Sequence, residues 1–158
     1  MPTTTCHHLL LFSLLIFVLH LGEPMESTSR LDPNSEAHDL LPKFGLPKGL
    51  LPDNVVRYAV SGDGKFTVEL SEPCYAQFSE LVSFDKTVKG KMTYGVVSDL
   101  SGIHVKKFVF WFPIVRVDAG KGDGTILFDT GSISERHPAS EFQDIRSCKS
   151  KAAAAADA

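Results

Sequence analysis

The sequence predicts a mainly β fold, an antiparallel barrel-like domain with one N-terminal helix, and three observations carry that prediction. From Val55 onward apolar residues recur with a period of two. The β-branched and aromatic runs are separated by clusters of Gly, Asp and Ser, the punctuation of hairpins. Helical spacing before that point is confined to one short stretch after Asp32. With 158 residues, 43% of them hydrophobic, the chain can bury one sizeable core, so a single domain is expected.

The N-terminus is set apart first. Leu9–Leu21 is apolar except for Ser13 and His20 and is followed by Gly22-Glu23-Pro24, which reads as a secretory signal peptide over residues 1–22. A membrane anchor is the weaker alternative, because the run falls short of the ~20 residues a spanning helix needs. No Lys or Arg precedes Arg30 and no A-x-A cleavage box follows. Residues 23–34 form a polar, flexible lead-in, and residues 35–148 the folded domain. Asp32 offers an N-cap and Pro33 the first helical position, with Ala37, Leu40, Leu41 and Phe44 at helical spacing and Gly45 as a stop. Pro42 limits the expected helix to residues 33–41. The Pro- and Gly-rich but leucine-bearing stretch that follows plugs one end of a core.

Strands are expected in NVVRYAV (54–60), KFTVEL (65–70), TVKGKMTYGVV (87–97), GIHVKKFVFWFPIVRVD (102–118) and TILFD (125–129). Between Phe108 and Val117 both faces are apolar, so this strand should be covered on both sides, with a bulge or bend at Pro113. The two Gly-Asp-Gly segments, Gly62–Gly64 and Gly122–Gly124, read as hairpin turns; one acid each is too few oxygen ligands for calcium. The alanine-rich end, 149–158, reads as a low-complexity tail.

Removal of the signal would discard Cys6 and leave Cys74 and Cys148. An even pair in an oxidising compartment suggests a disulfide, two separate buried thiols being the alternative. A formal charge of -3 gives no reason to expect nucleic acid.

Asp129-Thr130-Gly131-Ser132 has the letters of an aspartic protease loop. That chemistry needs two carboxylates sharing a proton across a water, and no second such motif occurs. Little chain follows Ser132, so a strand running into a turn is expected instead. No G-x-S-x-G, H-E-x-x-H or CxxC is present. His38, His104 and His137 are far apart and read as surface or capping residues, so no catalytic residue, metal ligand or cofactor is assigned. Phe108, Phe110, Trp111 and Phe112 are the candidate ligand-binding residues, able to line a cavity for a hydrophobic or amphipathic small molecule; a filled core without a cavity is favoured over it, because small barrels usually pack their interiors with side chains.

The segments FGLPKGLLPDNV, LSEPCYAQF, FDKTVKGKMTYGVVSDLSGIHVKKFVFWFPIVRV and ILFDTGSISERHPASEF resemble a plant family of unknown function, DUF538, over about residues 37–148. The resemblance implies an all-β, barrel-like fold with one N-terminal helix and plant origin, and some members carry a signal peptide. A distant likeness to lipid-binding bactericidal/permeability-increasing proteins, stress roles and ester hydrolysis have been suggested for the family. In it the two residues before the glycine of the Phe128–Phe142 segment vary, which makes Asp129-Thr130 one variant among several. The expectation is a secreted monomer of the apoplast or endomembrane lumen, without a membrane span once the signal is cleaved. It binds an amphipathic or lipid-like ligand or a cell-wall component. A hydrolase, or a purely structural or partner-binding module, is the alternative.

Overall fold

The structure is a computed structural model, and it describes residues 32–157. The expected signal peptide and nearly all of the lead-in lie outside the described residues. Helix α1 spans Pro33–Lys43. Asp32 caps it by accepting the Asn34 N–H at 3.2 Å, and Pro33 occupies the first position, where no amide donor is required. The helix does not stop at Pro42 as expected. In the last turn a proline costs one intrahelical bond, and the end is closed by Gly45 and Leu46, whose N–H groups donate to Pro42 and Leu41 at 3.0 Å. Gly45, at φ +71°, supplies the left-handed residue this closure demands.

His38 corrects the sequence reading. It is 1% exposed, and its ring nitrogens lie 2.8 Å and 3.0 Å from the carbonyl oxygens of Lys48 and Pro52. It fastens α1 to the plug, where Lys48–Leu50 forms a 3-10 turn and Leu46, Leu51 and Pro52 are buried.

Nine antiparallel strands follow: β1 Val55–Val60, β2 Lys65–Leu70, β3 Cys74–Gln77, β4 Leu81–Thr93, β5 Val96–Lys107, β6 Phe110–Pro113, β7 Arg116–Asp118, β8 Thr125–Asp129 and β9 Ser134–Pro138. They form one sheet in the order β1-β2-β4-β5-β7-β8-β9, with β3 also on β4 and β6 also on β5. The two longest strands thus serve two partners each. The first part of β4 pairs with β3 and the rest with β2, while β5 begins against β7 and ends against β6. The sheet bends between these halves. The β4–β5 register shifts between Phe84 and Lys91, and Gly102 sits there at φ +92°, where a Cβ would lie 2.4 Å from the Thr87 carbonyl oxygen. Val82, Phe84, Val88 and Met92 of β4 and Val97, Ile103 and Val105 of β5 fill the concave side with Phe66, Leu70, Val117 and Ile126.

Two long strands expected from the sequence are in fact hairpins. The run 102–118 reverses at Phe108, a non-glycine residue at φ +56°, so its aromatic half folds back as β6, and β6 ends at Pro113, which has no N–H to donate. Residues 87–97 are interrupted by the Tyr94-Gly95 turn. The sheet also does not close into a barrel: among the described residues β1 and β9 remain edges. The gap is spanned without strand pairing. α1 packs on β1, the Lys48–Leu50 turn on α1, and a second 3-10 turn, Ala139–Phe142, on both that turn and β9.

The chain ends as a strap across β3. Cys148 is joined to Cys74 by a disulfide, Lys149 and Tyr75 exchange backbone hydrogen bonds at 2.9 and 3.0 Å, and Ser150 caps helix α2, Lys151–Ala156. The alanine tail is therefore partly helical, as suits the residue with the highest helix propensity, and Ala154 is buried. Among the described residues no helix is long and apolar enough to cross a membrane. The disulfide closes a loop of 74 residues. Cys148→Ser, measured by chemical denaturation, is expected to lower stability by about 2–5 kcal/mol while leaving the sheet intact; an unchanged midpoint would show that the strap is held by α2 and its backbone bonds alone.

Candidate functional site

Three turns converge at one end of the sheet: Phe78–Glu80 between β3 and β4, Phe108–Val109 between β5 and β6, and Thr130–Ile133 between β8 and β9. Between them opens a cavity of about 50 Å³ lined by Ser79, Glu80, Lys107, Ile133, Glu135 and His137 among others. It shares Phe78, Val82, Ile114, Phe128 and Phe142 with an apolar cavity of about 80 Å³ inside the core. Phe142 stacks against both Phe78 and Phe128, with ring centroids 5.1 and 5.0 Å apart, and forms the partition. The end is therefore a throat, a mainly apolar pocket rimmed by charged side chains, above an apolar interior.

Alternation along β5 puts Ile103 and Val105 into the core, and the same face carries Lys107 where the core runs out. Its ammonium donates to Glu80 and Glu135. Burial works against the charge of Lys107, but these two carboxylates outweigh it and raise the pKa. Glu135 is lowered in turn, chiefly by the Lys107 hydrogen bond. His137 is two residues further along β9, on the same face, with Nε2 3.7 Å from Glu135 and Nδ1 3.6 Å from Glu141. Ser79 Oγ is 3.4 Å from His137 Nδ1, and the Ser79 amide donates to Glu141. Burial raises the Glu141 pKa, yet the hydrogen bonds from Ser79 prevail and lower it. Glu80, Glu135 and His137 bring three possible metal-ligand atoms within 4.8 Å of one another. The Lys107 ammonium already bridges the two carboxylates, so a divalent cation would have to displace it.

The four aromatic residues singled out from the sequence are placed differently from expectation. Phe108 is 96% exposed, Phe110 65% and Trp111 40%; they form the projecting β5–β6 tip, line neither cavity, and leave only Phe112 packed against the core. The two-faced apolar run thus marks a hairpin that is not covered on both sides. Asp129 closes a turn: its Oδ1 accepts the Gly131 N–H at 2.7 Å, and Thr130 Oγ1 accepts the Ile133 N–H at 3.0 Å. The protease-like letters spell a turn. Asp63 and Asp123 likewise accept the amide two residues on, the former held down to about 2 chiefly by the Ser61 hydroxyl. Ser79, Glu80, Lys107, Glu135 and Glu141 were not anticipated as a group. The legible signal was a single lysine on the inward face of an aromatic strand, and a Glu-x-His on another.

Fold and site define a small antiparallel β protein, tied by one disulfide, whose one end combines a charge-rimmed throat with an exposed aromatic finger. Residues 37–143 match the family model described as "Protein of unknown function, DUF538", and the chain belongs to that family. No curated protein matches the chain.

The throat gives a pH dependence of stability. Glu135 and Glu141 have folded pKa values below the unfolded value of about 4.3, so their contribution is present above that value and is lost as pH falls through the lowered ones. Lys107 is raised, so its contribution holds below about 10.4 and is lost as pH rises through the folded value. Lys107→Met removes the hydrogen bond that chiefly lowers Glu135, whereas Glu141 keeps its bonds from Ser79, so the acid limb becomes shallower. Thermal melts between pH 3 and 7 should fall with acid in the native protein and fall less steeply in the variant. Parallel curves would show that the ammonium contributes nothing there.

Proposed function

We propose that the protein binds amphipathic, lipid-like matter, and that the β5–β6 tip is the contact. The observation that carries this reading is the exposure of Phe108, Val109, Phe110 and Trp111 as one contiguous apolar finger. Scattered exposed apolar residues are ordinary on a protein surface, but a contiguous aromatic patch marks an interaction site. Contact with hydrocarbon would contribute about 1.5–3 kcal/mol for each fully buried Phe or Val. The core and throat cavities, about 80 and 50 Å³, fall well below the ~300–1,000 Å³ of small-molecule pockets, and the larger spaces, about 520 and 410 Å³, are open grooves beside α1 that do not enclose a ligand. The ligand is therefore met at the surface, as an aggregate or an acyl chain presented at an interface. A fully exposed Phe108 beside Val109 suits hydrocarbon better than the hydroxyl-rich face of a cell-wall polysaccharide. The disulfide supports a secreted setting for this activity.

Trp111 is the only tryptophan of the chain and reports directly. Its emission should shift to the blue when phosphatidylcholine micelles are added, and Phe108→Ser/Val109→Ser should weaken the association by about tenfold or more. An emission spectrum indifferent to micelles would sink the reading.

A hydrolase is the second reading, favoured by one observation: Ser79, His137 and Glu135 stand in nucleophile, base and orienting order. The geometry is loose, and the Ser79 amide, which could otherwise steady an oxyanion, is bound to Glu141. We expect p-nitrophenyl ester turnover at background, unchanged in Ser79→Ala and His137→Ala. A loss of a hundredfold or more in both variants would reinstate the hydrolase.

A further inference from the structure

We infer that the lipid surface this protein recognises is an anionic bilayer, read by the outer face of the β3–β4–β5–β6 half-sheet beside the tip. The inference rests on the proposed role of the tip and adds the charge of its partner. Directly paired residues of antiparallel strands share a face. One row across this half-sheet is Lys149, Tyr75, Ser83, His104 and Pro113, and the pair Lys106 and Trp111 lies one step nearer the tip. All of these side chains face outward, because Cys74, Val82, Ile103 and Val105 take the other side. The Tyr75 and Trp111 rings meet edge to face at 5.9 Å, so the aromatic finger and this face are one surface. Lys151 extends it at the start of α2, which packs on β3.

The whole chain is formally -3, and among the described lysines of this face two stand without an acid bound to them. Lys106 and Lys151 have no ion-pair partner among the described residues, and Lys149 meets Asp157. Opposing them are Asp85, 3.9 Å from His104, and at the throat Glu80 and Glu135, both turned onto Lys107. Lys106 therefore stands beside a tip rich in Phe and Trp, while Lys151 lies at the opposite edge of the half-sheet, where the strap runs away from the tip. Tyr and Trp suit the headgroup level, and lysines beside them attract anionic lipid within a Debye length. The insertion is shallow, confined to the turn, because a hairpin tip brings unpaired backbone groups with it.

The test is vesicle flotation of the full-length protein in low salt, with neutral phosphatidylcholine vesicles, vesicles containing about a third phosphatidylserine, and soluble polygalacturonate as competitor. Binding to anionic vesicles should exceed neutral binding by tenfold or more, fall as salt is raised to about 0.5 M, and drop towards the neutral level in Lys106→Gln/Lys151→Gln. Both lysine positions are on the surface, so a melt equal to that of the native protein checks that the variant is folded. Equal binding to both vesicle types, unaffected by the lysine changes, overturns the charge inference and leaves the tip reading standing. Binding to neither overturns both. Full displacement by polygalacturonate, with the Phe108→Ser/Val109→Ser protein binding anionic vesicles as well as the native one, overturns the bilayer as the partner.

Discussion

Everything in this fold follows from two strands that are too long for one set of neighbours. β4 and β5 each pair with one strand along one half and another along the other, and a flat sheet cannot accommodate both sets. The bend is placed where backbone meets backbone: at Gly102 the chain runs so close to Thr87 that no side chain fits. Curvature brings the inner faces of both halves onto a common core, so Val82 and Ile103 of one half meet Phe66 and Val117 of the other in one cluster. It also leaves β1 and β9 facing each other across a gap. Irregular segments fill that gap, with His38 and the contact of Gly49 against the Phe142 and Asp144 carbonyls as their fasteners.

Much of this was legible in the sequence because it depends on local chemistry. Asp32, Pro33 and Gly45 mark the ends of α1 through capping alone, and β1, β2 and β8 were readable from alternation between Gly-Asp-Gly turns. The disulfide was readable from cysteine count. What failed depended on tertiary context. A Phe at positive φ is a rare way to turn a chain, so nothing local announced the reversal at Phe108. β3 and β9 are short, and β9 alternates Glu, Arg and His without an apolar face. The throat is assembled from residues up to 62 positions apart, the Ser79–Glu141 contact being the longest, and no spacing rule connects them.

Lys107 is the junction between core and tip. A lysine on the inner face of an apolar strand is costly unless its charge is matched, and Glu80 and Glu135 supply the match from two other hairpins. The ion cluster therefore fixes the relative positions of the β3–β4, β5–β6 and β8–β9 ends, and holds in place the strand from which Phe108 projects. His137 and Glu141 extend the network to Ser79, and Arg146, whose guanidinium lies 5.5 Å from the Phe78 ring centroid, ties it to the disulfide-held strap. Rigidity at the base of the tip is what allows a small apolar patch to present itself without collapsing onto the core.

The tip also differs from three of the other hairpin turns in a way that argues for use rather than accident. Asp63, Asp123 and Asp129 each close their turn by accepting a backbone N–H two residues on, and Gly64, Gly124 and Gly131 supply the positive φ. The β5–β6 turn has no such acid and no glycine. Phe108 itself adopts the left-handed conformation, strained for a bulky side chain, and its ring stands almost wholly in water. A glycine and an aspartate there would relieve both penalties, as they do in those three turns. Strain and exposed apolar surface held together on a braced hairpin have no role in the core, and contact with an apolar phase is what would offset them.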